Sequence, residues 1–207
     1  MSDRTLYLDC FSGVAGDMTL GALIDLGLDA QQLEAALKTL PLPPWRLAVG
    51  HAVKMGIRGV DVHVVVGEHR EGPHGILTAD GADAHHHDHD HTHYRQIVDI
   101  IEGGQLPPPV VARALAAFEL IAQAEAKVHG QPVEAVHFHE VAAADSVVDI
   151  VGVAYGLWAL GVDRLVSAPP PISRGFVRCA HGRMPLPAPA TAEILRGLPI
   201  APCPVQK

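Results

Sequence analysis

The side chains most able to do chemistry are concentrated between residues 136 and 152, in the run Val136-His-Phe-His-Glu-Val141 followed by Ala144-Asp-Ser-Val-Val-Asp-Ile-Val-Gly152. His137, His139, Glu140, Asp145 and Asp149 fall within thirteen positions. If residues 136–141 are extended, His137 and His139 project from one side of a strand and Glu140 from the other, because side chains alternate with period two. The small residues Ala142–Ala144 lead into the run Asp145–Leu160, which reads as a helix with Asp145 and Asp149 one turn apart at its start. Imidazole nitrogens and carboxylates beside a helix N-terminus suit a divalent transition metal. The same residues admit a structural account, in which Asp145 caps the helix, Asp149 complements its dipole and the histidines are half-buried strand residues.

A second concentration is His85-His-His-Asp-His-Asp-His-Thr-His93, with six histidines (His85, His86, His87, His89, His91 and His93) and two aspartates in nine positions. Such a composition cannot pack a core, so residues 67–93 are expected to form a flexible His-rich loop inserted in the fold. The run is internal and is therefore not a terminal purification tag. Neutral imidazoles near pH 7 bind Ni²⁺, Zn²⁺ or Cu²⁺. A run of this kind is better at raising the local metal concentration than at selecting a geometry. A solvated linker with incidental affinity is the alternative.

Two further segments suit anions. The proline-punctuated stretch from Arg174 to Thr191 carries Arg174, Arg178, His181 and Arg183 with no acid among them. Guanidinium groups of that kind grip phosphate, although arginines on a basic surface edge would look the same. Near the N-terminus, Leu6–Met18 reads as a strand, a glycine loop over Ser12–Gly16, and a helix capped by Asp17 that runs to about Leu26 with Gly27 as its stop. Ser12, Gly13 and Gly16 would then lie where backbone N–H groups meet an anion at a helix start. Neither Gly-Lys-Ser/Thr nor GxGxxG is present, so this is not a P-loop or a dinucleotide fingerprint. Tight-turn glycines account for the same pattern.

The elements that must position these residues follow in order. Asp29 and Gln32 form a capping box for a helix carrying Leu33, Leu37 and Leu40, which Pro41, Pro43 and Pro44 end. Residues 45–53 and 60–66 read as a hairpin, with Val62, Val64 and Val66 facing the core and Asp61 and His63 opposite. Tyr94–Glu102 is helical and is broken by Gly103-Gly104. A longer helix runs from Pro107–Pro109 to about His129, with Val110, Ala114, Ala117, Phe118, Ile121 and Val128 as its buried stripe. After the helix at 145–160, residues 163–168 read as a strand crossing over to a parallel neighbour. The expected fold class is therefore α/β, a mixed sheet from residues 5–11, 45–53, 60–66, 135–140 and 163–168 flanked by helices. If the two strand–loop–helix units are neighbours, Asp9 and Asp17 face the same crevice as His137, His139, Asp145 and Asp149. Four carboxylates gathered there would repel one another without a cation.

Composition narrows the class. The chain has 207 residues and is 48% hydrophobic, enough for one good core. Cys10, Cys179 and Cys203 form no CxxC pair, so a reducing cytoplasm is the default compartment. The longest apolar run is too short to cross a bilayer and contains Asp149. The net charge is −8, but residues 174–207 hold a local +4 and residues 1–173 the remaining −12. An acidic body argues against a nucleic-acid partner.

Three of these blocks, in order, carry a resemblance. Residues 7–27, 136–152 and 174–200 resemble the signature blocks of the nickel-insertion protein family (LarC), with a departure at Ala142–Ala144, where small residues replace a Gly-containing triplet. A His-rich loop of variable length also belongs to the family pattern. The resemblance covers residues 1–199 as one domain. Residues 200–207 are expected to begin a continuation, because full-length members extend well beyond this point. It implies a nickel chelatase (a lyase, or cyclometallase) that inserts Ni²⁺ into pyridinium-3,5-bisthiocarboxylic acid mononucleotide, making the nickel-pincer nucleotide of lactate racemase. It also implies a link to CTP hydrolysis with a divalent cation, Mg²⁺ or Mn²⁺. The implied partners are the precursor nucleotide, the C-terminal half of the protein, a cofactor-accepting racemase and a second copy in a homo-oligomer.

Such a reaction needs a metal donor, a base and a phosphate grip. The candidates here are His137, His139, Glu140, Asp145 and Asp149 for metal, with Asp9 and Asp17 nearby. Glu140 or His181 would serve as base and Arg174, Arg178 and Arg183 as phosphate ligands. Two readings from other classes stand beside this one: a non-catalytic nickel or zinc carrier or store working through residues 85–93, and a metal-dependent hydrolase built on the His/Asp site.

Overall fold

The computed structural model describes residues 3–66, 69–70, 92–138, 144–179 and 182–204. The expectations placed on His85, His86, His87, His89 and His91, on His139 and Glu140, and on His181 lie outside the described residues.

The chain begins with β1 (Thr5–Leu8), followed by α1 (Gly16–Asp25) and α2 (Ala30–Leu37). Asp29 caps α2, its Oδ1 accepting the N–H groups of Gln31 and Gln32 at 2.8 and 3.1 Å. Gln32 takes part through its backbone. The hairpin β2 (Trp45–Lys54) and β3 (Ile57–Val66) turns on Met55 and Gly56, both at positive φ (51° and 83°). Two residues of that hand match the twist of the flanking strands. β4 (His69–Arg70) adds to β3.

β5 (Thr92–His93) leads into α3 (Tyr94–Glu102), and α4 (Pro108–His129) starts on its prolines and ends at Gly130, whose φ of 64° is the left-handed helix stop. A 3₁₀ turn at Val133–Ala135 precedes β6 (His137–Phe138) and α5 (Ala144–Ala159). The remainder is β7 (Arg164–Ser167), β8 (Pro171–Ile172), β9 (Gly175–Cys179), β10 (Gly182–Leu186), α6 (Pro189–Ile194) and β11 (Ala201–Pro202).

Helices and strands combine as an α/β fold, but the expected single mixed sheet does not form. Among the described residues the strands make five separate small sheets: β1–β7, β2–β3–β4, β5–β6, β9–β10 and β8–β11. The crossover after α5 does return parallel, with β7 pairing β1 in the register Thr5↔Arg164 to Leu8↔Ser167. The described part of residues 135–140 contributes the two-residue strand His137–Phe138. Alternation marks a residue as extended but says nothing about its hydrogen-bonding partner.

The core gathers around α5. Val147, Val148 and Val151 are fully buried, together with Leu20 of α1, Leu33 and Leu37 of α2, Ile97 and Ile101 of α3, and Phe118 of α4. Each such side chain contributes roughly 1.5–3 kcal/mol on leaving water. α1 and α5 approach closely because α5 carries glycine at the contact: a Cβ at Gly156 would lie 2.9 Å from Leu23 Cδ1 and from Leu28 Cδ2. On α4 the stripe holds at Val110, Ala114 and Phe118, but Val128 is exposed and Ala122, Ala124 and Ala126 are buried instead. The helix presents different faces to α5 and α6 along its length. Between residues 161 and 177 and between 182 and 204, no described residue is buried. No helix among the described residues is long and apolar enough to cross a membrane.

Candidate functional site

The loop after β1 is closed by a turn in which Gly13 donates its N–H to the Cys10 carbonyl at 3.0 Å. Gly13 has φ +97°, a conformation that side-chain-bearing residues rarely adopt. Cys10 is buried and anchors the loop to the end of β7, its Sγ 3.6 Å from the Ala168 carbonyl oxygen. Ser12 stands exposed on the loop. α1 then starts earlier than the spacing suggested. Its N-cap is Ala15, extended at φ −107° and ψ 169°, with no side-chain cap. Asp17 is therefore inside the first turn, where its Oδ1 meets its neighbour's N–H at Met18 at 2.7 Å.

The reason for the early start lies on α5. A Cβ at Gly16 would lie 2.4 Å from Asp149 Oδ2 and 2.6 Å from Asp149 Cβ, so only glycine fits where the two helix starts meet. The Asp149 carboxylate accepts the backbone N–H of Asp17. A carboxylate of the chain itself thus takes one donor at the N-terminus of α1, the place expected to receive an external anion.

Asp145 lies one turn earlier on α5 and is 7% exposed, the one buried charged residue of the described chain. Its Oδ1 is 3.4 Å from the Ser146 hydroxyl, which donates to it. Asp149 is pushed up to about 7, first by burial, then by the negative charges of Asp17 and Asp145; the Asp17 N–H opposes them. Asp149 Oδ1 is buried with no hydrogen-bond partner among the described residues. Three carboxylates are thereby crowded into one electrostatic neighbourhood, which favours either a retained proton or a bound cation. Asp9, exposed just beyond β1, does not enter that coupling. Among the described residues, no group of three or more His, Cys, Asp or Glu side chains is arranged to hold a metal ion.

His137 belongs to a neighbouring structure that its spacing did not announce. β6 pairs antiparallel with β5, placing His93 directly opposite His137, with ring centroids 4.0 Å apart and planes at 46°. The last histidine of the His-rich run thus meets the first of the 136–141 block. The ladder is held by the Tyr94 N–H, which donates to the Val136 carbonyl at 3.2 Å. Phe138 is buried beside it, with Phe118 and Tyr94 packed against its ring.

The arginines occupy a separate hairpin. β9 and β10 pair so that Arg178 is directly opposite Arg183 and Phe176 opposite Pro185. Arg183 also stacks over Phe176, its guanidinium carbon 4.0 Å from the ring centroid. Arg174 is exposed immediately before β9. Elsewhere, a cavity of about 440 Å³ opens on the β2–β3 hairpin, lined in part by Arg46, Asp61 and His63. Asp61 and His63 satisfy each other there at 3.1 Å.

Of the expected site residues, Asp17, Asp145 and Asp149 are brought together. His137 is paired with His93, and the arginines share a hairpin of their own. Sequence reasoning missed the role of Gly16 as the space for Asp149. No local signal separates such a glycine from a turn glycine.

Comparison with known proteins supplies the remaining context. Residues 6–207 match the family described as nickel insertion protein. The chain is 48% identical over 197 residues to the pyridinium-3,5-bisthiocarboxylic acid mononucleotide nickel insertion protein of Geobacillus kaustophilus, covering 95% of this chain and 46% of that protein. It is 43% identical over 197 residues to the protein of the same name from Desulfitobacterium hafniense, covering 44% of its length. The chain thus spans about half the length of the curated relatives it matches. No solved structure matches it.

Proposed function

Because the chain belongs to the nickel insertion protein family, we propose that it inserts Ni²⁺ into pyridinium-3,5-bisthiocarboxylic acid mononucleotide, acting with the further length of polypeptide its relatives possess. Nickel is here a substrate. Two sulfur ligands and one ring carbon must take the ion, and the ring carbon must lose a proton. The observation that carries the reading is the crowding of Asp17, Asp145 and Asp149 at two adjoining helix starts, with Asp149 pushed up to about 7 by burial and its acidic neighbours. A divalent cation relieves that repulsion. His137, and His139 and Glu140 beyond it, follow β5 and precede α5 in the chain and supply further donors. Asp9, exposed just beyond β1, is proposed as a further donor from outside the crowded set.

In the same reading the ring proton goes to Glu140 or His181. The nucleotide phosphate is gripped by Arg174, Arg178 and Arg183, the last two being register partners in the β9–β10 hairpin. The exposed loop of Ser12 and Gly13 borders the acidic set. CTP with Mg²⁺ or Mn²⁺ drives the insertion, and we assign its binding to no residue of this chain.

The test is nickel insertion itself. The 207-residue chain is incubated with the precursor nucleotide, NiCl₂, CTP and MgCl₂, with and without the rest of the full-length polypeptide, and the nickelated nucleotide is followed by mass spectrometry. Product is expected in the reconstituted mixture, with Asp149→Asn and Asp17→Asn each lowering the rate at least about tenfold. Wild-type rates in both variants would remove the acidic set from the reaction.

A second reading, a nickel carrier without catalysis, is favoured by one observation, the contact of His93 with His137. It expects removal of residues 85–93 to abolish metal uptake while Asp149→Asn leaves it unchanged.

A further inference from the structure

The contact between His93 and His137 has the properties of a metal site in its own right. The two residues are direct cross-strand partners in the β5–β6 ladder, so their Cβ atoms start about 4.5–5.5 Å apart on one face. Their rings are 4.0 Å apart and tilted by 46°, neither stacked flat nor edge to face. At that spacing, rotation of the two side chains can bring one nitrogen from each ring to a common ion. Two nitrogens bound at about 2.0–2.1 Å to one ion sit roughly 3 Å apart, a separation open to rings this close.

The platform is firm on one side and open on the other. Phe138, next to His137, is 3% exposed and packed among Tyr94 and Phe118, while His93 is exposed. The Tyr94 N–H bond to Val136 closes the ladder from the helix side, and the His93 N–H is held by Gln96 Oε1 at 2.7 Å. Both backbones are therefore fixed where the rings meet.

We infer that His93 and His137 form a two-imidazole site for a divalent transition-metal ion, separate in function from bulk capture by the rest of the histidine run. Neutral imidazole favours Ni²⁺, Zn²⁺ or Cu²⁺ over Mg²⁺ and Ca²⁺, which seek oxygen. With two protein ligands, water completes the coordination shell. Such a site holds an ion loosely enough to pass it on. The choice of nickel as the natural ion rests on the function proposed above; the existence of the site does not.

The experiment begins from a chain in which His85, His86, His87, His89 and His91 are all replaced by Asn, to silence the run. Titration with NiCl₂ by calorimetry is expected to retain about one ion per chain. Adding His93→Ala or His137→Ala should weaken that binding at least about tenfold, the loss of one of two ligands. His93 also caps α3, so His93→Asn, which keeps a capping side chain, should hold the parent melting temperature while losing the same nickel affinity. Bound to Cu²⁺, the parent should show electron paramagnetic resonance couplings from two imidazole nitrogens, and His93→Ala from one. Failure of the run-silenced chain to bind nickel, or equal affinity in His93→Ala, would overturn the site. Nickel insertion does not enter these readouts. Binding without insertion would reject the proposed function and leave the site standing, and insertion without binding would do the reverse.

Discussion

At the scale of single residues, the governing fact is that Asp149 is a carboxylate in a place that does not favour its charge. Burial and the charges of Asp17 and Asp145 raise it from the ordinary value of 3.8 to about 7. The folded chain therefore prefers the protonated acid. The stability this supplies is fully present below about pH 4 and is lost as pH rises through about 7. Asp149→Asn keeps a neutral acceptor for the Asp17 N–H and escapes that loss. Its advantage over the parent is expected to be absent near pH 4, to grow with pH, and to level off above 7 at roughly 1–2 kcal/mol once screening by nearby water is allowed for. Urea denaturation midpoints from pH 4 to 8 measure it, and parallel profiles for the two proteins would show that Asp149 carries no such penalty. Saturating Ni²⁺ should reverse the order if Asp149 holds the ion, because a cation favours the carboxylate form.

At the scale of elements, the acidic set exists because α1 and α5 meet at their starts. That meeting depends on small residues. α1 also lies against β3 through Gly21, where an added Cβ would come within 2.8 Å of the Val60 carbonyl oxygen. A backbone oxygen in a paired strand cannot swing aside as a leucine methyl can. Gly21→Ala should therefore destabilise the chain by about 1–3 kcal/mol through overpacking. Helix propensity alone would make the change favourable by roughly 0.5–1 kcal/mol. Gly50→Ala, whose Cβ meets nothing within 4 Å, is the control. A chemical denaturation curve shifted upward for Gly21→Ala would mean that α1 is free to move away from the hairpin.

At the scale of the whole molecule, the core of the described residues closes around α5 using elements between residues 20 and 157. Beyond residue 160, α6 is tied to α4 by the 2.6 Å bond from Lys127 Nζ to Glu193 Oε1, with no buried residue among those described. Excising residues 71–91 should leave the melting temperature of the chain unchanged. It should lower nickel binding from several ions per chain, and the site assigned to His93 and His137 should be among those that remain. In the intact chain, binding should weaken as pH falls through the free histidine range near 6.5, since only neutral imidazole ligates. Equilibrium dialysis against NiCl₂ reads both effects. An unchanged nickel count after excision would deny the run any part in metal capture.

Elements whose causes are local were legible in the order of residues alone. α3 ends at Gly103-Gly104, α4 is bounded by its prolines and Gly130, α2 begins on Asp29, and α5 follows the small residues before Asp145. Each of those signals acts on its own few residues, so spacing and residue type suffice to read them. The acids and histidines that could handle a metal were legible in the same way, as types able to ligate. Which of them meet was decided only by tertiary structure. Asp149 reaches Gly16, and His93 reaches His137, across stretches of chain that carry no mark of the contact. The strands likewise announced their extension but not their partners, and among the described residues five short sheets stand where one was expected. Pairing depends on non-local hydrogen bonds and on how closely α1, α5 and the β2–β3 hairpin pack, and neither is written in the period of a single segment.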